Sequence, residues 1–232
     1  MANITVVGVG LEESQLTLGA AQILTGGARV ILHTARIGCA AWLESQGVSF
    51  EALDALYESC ADFDEHARRA AEYVYGAARE GDLVYAVYDV RDRSVLMLGE
   101  MDAKLRILAG PPVEGALMGR LDGATCMLEA SDWENFRLSP MENALVRELG
   151  SRELTSEVKL TLMECYPDET RCFVLGGDGS VARVPLYDLD RLRGYDHRSC
   201  ALIPAQRDLM KLERYGFDEL MEIMHILQGP DG

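Results

Sequence analysis

Positive charge is scarce in this sequence. Its 232 residues hold 22 Lys and Arg against 38 Asp and Glu, a formal net charge of −16. A nucleic-acid surface needs basic side chains to displace phosphate counterions. No basic patch is visible, so no nucleic-acid partner is expected. The same charge disfavours anionic membranes, and no apolar run reaches the roughly 20 residues that span a bilayer core, so no membrane partner is expected either. The opening MANITVVGVG lacks the basic start and cleavable apolar segment of a signal peptide. A cytoplasmic location is therefore expected. The six cysteines (Cys39, Cys60, Cys126, Cys165, Cys172 and Cys200) form no CxxC pair, which points to buried free thiols in a reducing compartment. His33, His66, His197 and His225 lie far apart without metal-ligand spacing. No metal site is expected, and solvated or capping histidines are. No Ser/His/Asp or Cys/His set suggests a nucleophile, and no catalytic side chain can be named.

What is present is an alternation of short apolar runs and amphipathic stretches. Strands are predicted at Ile4–Gly8, Arg29–His33, Val48–Phe50, Asp82–Val87 and Lys104–Leu108. Helices are predicted at Gln15–Thr25, at Ala35–Gln46, from Asp62 through Arg79, and at Arg93–Asp102. Gly26-Gly27 and Gly47 supply helix stops, and Asp62-Phe-Asp-Glu65 a start. Strands alternating with such helices imply βαβ units and a mostly parallel sheet. Gly110-Pro111-Pro112 breaks the pattern, which puts a boundary near Ala109. Beyond it, strands are predicted at Ala124–Glu129, Ala144–Leu149, Arg171–Leu175, Val181–Pro185 and Ser199–Ile203, with one clear helix at Leu154–Cys165. The turn Gly176–Ser180 reads as a hairpin, and fewer helices per strand imply a mixed sheet. In the tail, Phe217, Leu220, Met221, Met224 and Leu227 recur at helical spacing. The same tail carries Glu219-Leu-Met-Glu222, which has the form of a magnesium-binding pair but is read as a solvated helix face.

Four passages together resemble one family. They are ITVVGVG…LTLGA at Ile4–Ala20, DALYESCADFDEHARRAAEYVYGAAREGDLVYAV at Asp54–Val87, SEVKLTLMECYPDE at Ser156–Glu169 with VPLYDLDRL at Val184–Leu192, and RYGFDELMEIMHILQGPDG at Arg214–Gly232. In order and spacing they are similar to the tetrapyrrole (corrin/porphyrin) methylase superfamily, in the branch linked to MazG pyrophosphohydrolases. The resemblance implies an α/β, two-lobed class III S-adenosylmethionine (SAM) methyltransferase fold, with a mostly parallel sheet in the N-terminal lobe and a mixed sheet in the C-terminal lobe. It implies an N-terminal lobe over 1–109, a C-terminal lobe over 110–213, and over 214–232 a linker with the first helix of a MazG-type domain. A homodimer is implied, as is a small-molecule ligand in the interlobe cleft, with SAM as cofactor. Because the MazG metal carboxylates belong to later helices, no pyrophosphohydrolase activity is expected of this chain alone.

The resemblance carries cofactor contacts onto Gly8, Gly10, Val87, Tyr88, Asp89, Val90, Pro112 and Val113. Three departures stand at these places. After Gly8-Val9-Gly10 the family has Pro-Gly-Asp where this chain has Leu11-Glu12-Glu13, and two carboxylates there repel a phosphate. After Val87 the family has a glycine- and proline-rich loop where this chain has Tyr88-Asp89-Val90-Arg91. Val113 stands where a serine usually does. Two functions follow as expectations. One is a SAM-dependent methyltransferase acting on an unknown small molecule, by positioning and desolvation rather than through a protein nucleophile. The other is a catalytically silent ligand-binding, regulatory or dimerisation module for an attached MazG domain.

Overall fold

The computed structural model describes residues 2–206, apart from 121. The apolar tail stripe, the Glu219/Glu222 pair and His225 lie outside the described residues. The chain divides into two compact units, the first ending at Val113 and the second beginning at Glu114.

The N-terminal unit is a five-stranded, all-parallel sheet in the order β3-β2-β4-β1-β5. The strands are β1 (Ala2–Gly8), β2 (Arg29–Leu32), β3 (Phe50–Ala52), β4 (Leu83–Val87) and β5 (Ala103–Leu108). Helices α1 (Leu18–Leu24), α2 (Gly38–Ser45), α3 (Asp54–Glu58), α4 (Phe63–Ala77) and α5 (Arg93–Gly99) connect them. Every residue of β4 is buried, as expected of an inner strand with helices on both faces. One face carries Ile4, Val6, Leu83, Tyr85 and Val87 against Ala70, Ala71 and Val74 of α4 and Val95 and Leu98 of α5. The alanines let α4 approach closely. Its start is fixed by Asp62, whose side chain accepts from the Glu65 amide at 2.7 Å.

Helices α1 and α2 are shorter than their apolar patterns predict. Thr17 caps α1 through the Ala20 amide, and residues Glu13–Gln15 form a separate 3-10 turn. Before α2, the Ala35 amide and the Thr34 hydroxyl both donate to Asp54. Residues 34–36 are thereby held as a turn, and the helix begins only at Gly38.

The second unit holds a mixed sheet, ordered β6-β7-β10-β8-β9. Its strands are β6 (Thr125–Glu129), β7 (Asn143–Arg147), β8 (Arg171–Leu175), β9 (Val181–Pro185) and β10 (Cys200–Ile203). Only β6 and β7 pair in parallel; the other neighbours are antiparallel. Strands β8 and β9 close through the predicted hairpin, with Gly179 at φ +82°. The short α6 (Gly115–Met118) and the Ser151-capped α7 (Arg152–Met163) complete it. Val158 and Leu162 of α7 pack on Ala144, Val146, Val174 and Ala201. On β7 the buried Arg147 reaches Glu129 of β6 at 2.7 Å, directly across the register. All six cysteines are free. Burial raises the Cys39 thiol to about 11 and the Cys172 and Cys200 thiols to about 12, so these three stay protonated at neutral pH.

At the ends of β1 and β5 the backbones of Gly8 and Gly110 touch. A Cβ on Gly8 would lie 2.5 Å from the Gly110 nitrogen, closer than any side chain tolerates. Gly8→Ala is expected to destabilise the protein by about 2–4 kcal/mol, in the range of overpacked cores and strained backbone. Urea unfolding would show it as a lowered midpoint at an unchanged m-value.

Candidate functional site

In a parallel sheet, ligands gather at the carboxyl ends of the strands. Here three segments converge there: Val9–Gln15 after β1, Tyr88–Asp92 after β4, and Gly110–Val113 after β5. The Val9 amide donates to the Val87 carbonyl at 2.9 Å and the Gly10 amide to the Tyr88 carbonyl at 3.1 Å. A Cβ on Gly8 would also lie 3.1 Å from Cγ1 of Val90. The Val113 amide donates to Asp89 at 3.2 Å. Thus Gly8, Gly10, Val87, Tyr88, Asp89, Val90 and Val113 are brought together in one region, and Pro112 belongs to the segment that ends in Val113.

The loops are held by their own side chains. Gly10 takes φ +72°, and the Gln15 amide oxygen accepts from the Leu11 amide at 2.7 Å and the Glu12 amide at 3.1 Å. Asp89 is buried and receives the Arg91 amide, its Nε at 2.9 Å and its Nη2 at 2.5 Å. Burial alone would raise the Asp89 pKa; the Arg91 guanidinium and the Arg91 and Val113 amides hold it below the usual carboxylate value. The Tyr88 ring is buried and its hydroxyl donates to Asp92 at 3.0 Å.

Behind this loop lies a polar cluster that sequence spacing did not reveal. His33 and His66, expected to be solvated or capping and without a common site, are both buried, with ring centroids 5.0 Å apart. His33 directly follows β2, and its amide donates to the Ala86 carbonyl of β4. His66 lies in the first turn of α4. Parallel pairing of β2 with β4 and the packing of α4 on that face bring the two histidines together. The Ser94 amide and hydroxyl both donate to Asp92. The Ser94 oxygen then accepts from Tyr85 at 2.9 Å, and Tyr85 accepts from Nδ1 of His33 at 2.7 Å. Nε2 of His33 lies 3.7 Å from Asp92. Burial opposes ionisation of Asp92, but His33, Ser94 and Tyr88 lower its pKa overall. Tyr85, fully enclosed, is pushed well above its ordinary value by burial. Among the described residues no cluster of three or more His, Cys, Asp or Glu side chains could hold a metal, and no helix is long and apolar enough to cross a membrane.

No family model matches the chain. A relative, the uncharacterized protein YabN of Bacillus subtilis (strain 168), is 28% identical over 99% of this chain. This chain spans about half of that protein's length (50%). Among solved structures, the uroporphyrin-III-C-methyltransferase from Thermus thermophilus aligns with a TM-score of 0.62 at 18% identity, covering 88% of this chain and 95% of that one. A cobalamin biosynthesis precorrin-6Y methylase from Archaeoglobus fulgidus gives 0.61 at 16%, covering 88% and 98%. The methyltransferase CobJ gives 0.57 at 16%, covering 89% and 95%. The fold is therefore that of the tetrapyrrole methyltransferases, a parallel five-stranded sheet followed by a mixed one.

The amides of Val9, Gly10, Leu11, Glu12 and Val113 have partners within the chain, and the Asp89 carboxylate joins the loop after β4 to the segment after β5.

Burial, and then the nearby His33, lower His66 to about 4 from an ordinary 6.5. The folded protein therefore keeps His66 neutral where the unfolded chain takes up a proton. Stability from this group is complete above about pH 6.5 and is lost as pH falls toward 4. Asp89 and Asp92 add a separate loss below about pH 3.9. In His66→Gln, urea midpoints measured from pH 4 to 7 should fall less steeply than in the parent. An unchanged slope would contradict the buried neutral imidazole.

Proposed function

We propose that the N-terminal unit is a small-molecule-binding module built on a methyltransferase fold, and that it is silent toward the usual cofactor. The ligand would lie against the loops after β1, β4 and β5. The observation that carries this reading is Asp89, which takes the Val113 amide and the Arg91 guanidinium. A loop serving SAM needs its backbone open, and here the side chains close it. The module would regulate or pair an attached MazG-type pyrophosphohydrolase in a longer chain, as a cytoplasmic homodimer. The support for a longer chain is the resemblance of Arg214–Gly232 and the half-length coverage of YabN.

A second reading, a SAM-dependent methyltransferase of unknown substrate, is favoured by one feature. The backbone contact of Gly8 with Gly110 keeps the strand tips bare of side chains.

Calorimetry with SAM and with S-adenosylhomocysteine separates the two. The silent reading expects no heat at millimolar ligand, whereas saturable binding of either compound would establish the second. Regulation is read separately, from the pyrophosphohydrolase rate of the full-length protein with and without residues 1–213. A ligand-dependent difference is expected, and equal rates under all ligands would rule regulation out.

A further inference from the structure

The opposite end of the same sheet carries a cavity of about 360 Å³, lined by Asn3, Thr5, Ile23, Asp82, Lys104 and Arg106 among others. Alternation along the strands places it. Ile4, Val6, Leu83, Ala103 and Leu105 face α4 and α5, so Asn3, Thr5, Val84, Lys104 and Arg106 face the other way. On that face α1 covers only the upper part of β5: Gly19 lies against Leu108. Below, the ends of Ile23, Gly26 and Ala28 leave the sheet uncovered. A parallel sheet ordinarily has both faces buried under apolar helices. An open, polar stretch of its face therefore calls for an explanation.

The charges in this cavity run against those of the molecule. In the N-terminal unit, Arg29, Arg36, Arg68, Arg69, Arg91 and Arg93 each meet a carboxylate within 4 Å. Among the described residues of this unit Arg79, Lys104 and Arg106 meet none; of these, Lys104 and Arg106 stand together in one cavity, in a chain whose net charge is −16. Asp82 also lines the cavity, and its carboxylate is taken by the Asn3 side-chain amide at 3.2 Å. Lys and Arg on an edge strand can serve merely to block edge pairing. That role does not need a cavity, nor Thr5 in register beside Arg106 and Asn3 beside Lys104.

We propose that this cavity is a binding site for a small phosphorylated compound carrying at least two negative charges. Residues two apart on a strand lie about 6.6 Å apart, so Lys104 and Arg106 can grip one phosphoryl group from two sides or the two ends of a diphosphate. Arg106 supplies a planar fork and Lys104 a point charge. The Thr5 hydroxyl adds a donor, and Ile23 and Val84 offer apolar contact to the organic part. The site is distinct from the loops after β1, β4 and β5 and does not depend on how those are read.

The test is titration of the protein with inorganic pyrophosphate, followed by calorimetry and by NMR shifts of the Thr5, Lys104 and Arg106 amides, with succinate as a dicarboxylate comparison. Saturable binding of pyrophosphate is expected, with succinate at least about tenfold weaker. Lys104→Gln and Arg106→Gln should each weaken pyrophosphate about tenfold, roughly the loss of one charge-assisted contact. Both side chains are exposed, so folding should be unaffected, and circular dichroism would check this. The exposed Arg79→Gln should leave binding unchanged. The proposal fails if pyrophosphate does not saturate, if succinate binds equally well, or if Arg79→Gln weakens binding as much as the other two.

Discussion

A carboxylate removed from water costs several kcal/mol unless donors meet it, and the loop after β4 buries two of them three residues apart. Asp89 collects the Arg91 guanidinium and amide and the Val113 amide; Asp92 collects both Ser94 donors and Tyr88. These obligations dictate the path of the loop. They fix the Tyr88 carbonyl, to which Gly10 donates, and so the segment after β1. They also tether the end of the unit at Val113. A glycine-rich loop leaves its backbone bare for a ligand, whereas this one spends its backbone on itself. The two-sheet architecture of the solved methyltransferases is kept, and in this chain the loops after β1, β4 and β5 are tied to one another.

In the first unit β1, β2 and β4 were legible as apolar runs and α4 from its periodic face, whereas β3, with Glu51 at its centre, begins two residues later than predicted and the short α3 gave no periodic signal. The hairpin Gly176–Ser180 was legible from its turn residues. Helix starts were less so, because the decisive acts are tertiary: Asp54 captures the turn at Thr34–Ala35, and this lies about 20 positions away in sequence. The gathering of Gly8, Gly10, Val87–Val90 and Val113 could be anticipated from a resemblance, since homologous loops share a place. The His33–His66–Tyr85–Asp92 cluster could not. Its members come from four elements, and no spacing rule joins the end of one strand to the first turn of a distant helix. The clue available in sequence was modest: a histidine ending one parallel strand and a tyrosine inside another reach the same end of the sheet if those strands are neighbours.

The two ends of the first sheet have opposite character. At the carboxyl end, Asp89, Asp92, Tyr85 and Ser94 are buried and hydrogen-bonded to one another or to neighbouring loops. At the amino end, Lys104 and Arg106 stand in an open cavity without ion partners among the described residues. The order β3-β2-β4-β1-β5 accounts for part of this. β5 is an edge strand whose α1-side face is covered only near Leu108, so its lower half is free to carry charge.

The strand order of the second unit also has a consequence for how the chain is made. β10 is the last described strand, yet it lies in the middle of its sheet, between β7 and β8. During synthesis the first unit can complete its sheet once β5 has left the ribosome. The second must wait until Ile203 has emerged, with β7 and β8 exposing unpaired edges toward the same gap. Such edges are templates for mispairing. The first unit can thus be native while its neighbour is still an open half-sheet, and the closing step is the insertion of a four-residue strand, Cys200–Ile203, into a slot already formed on both sides.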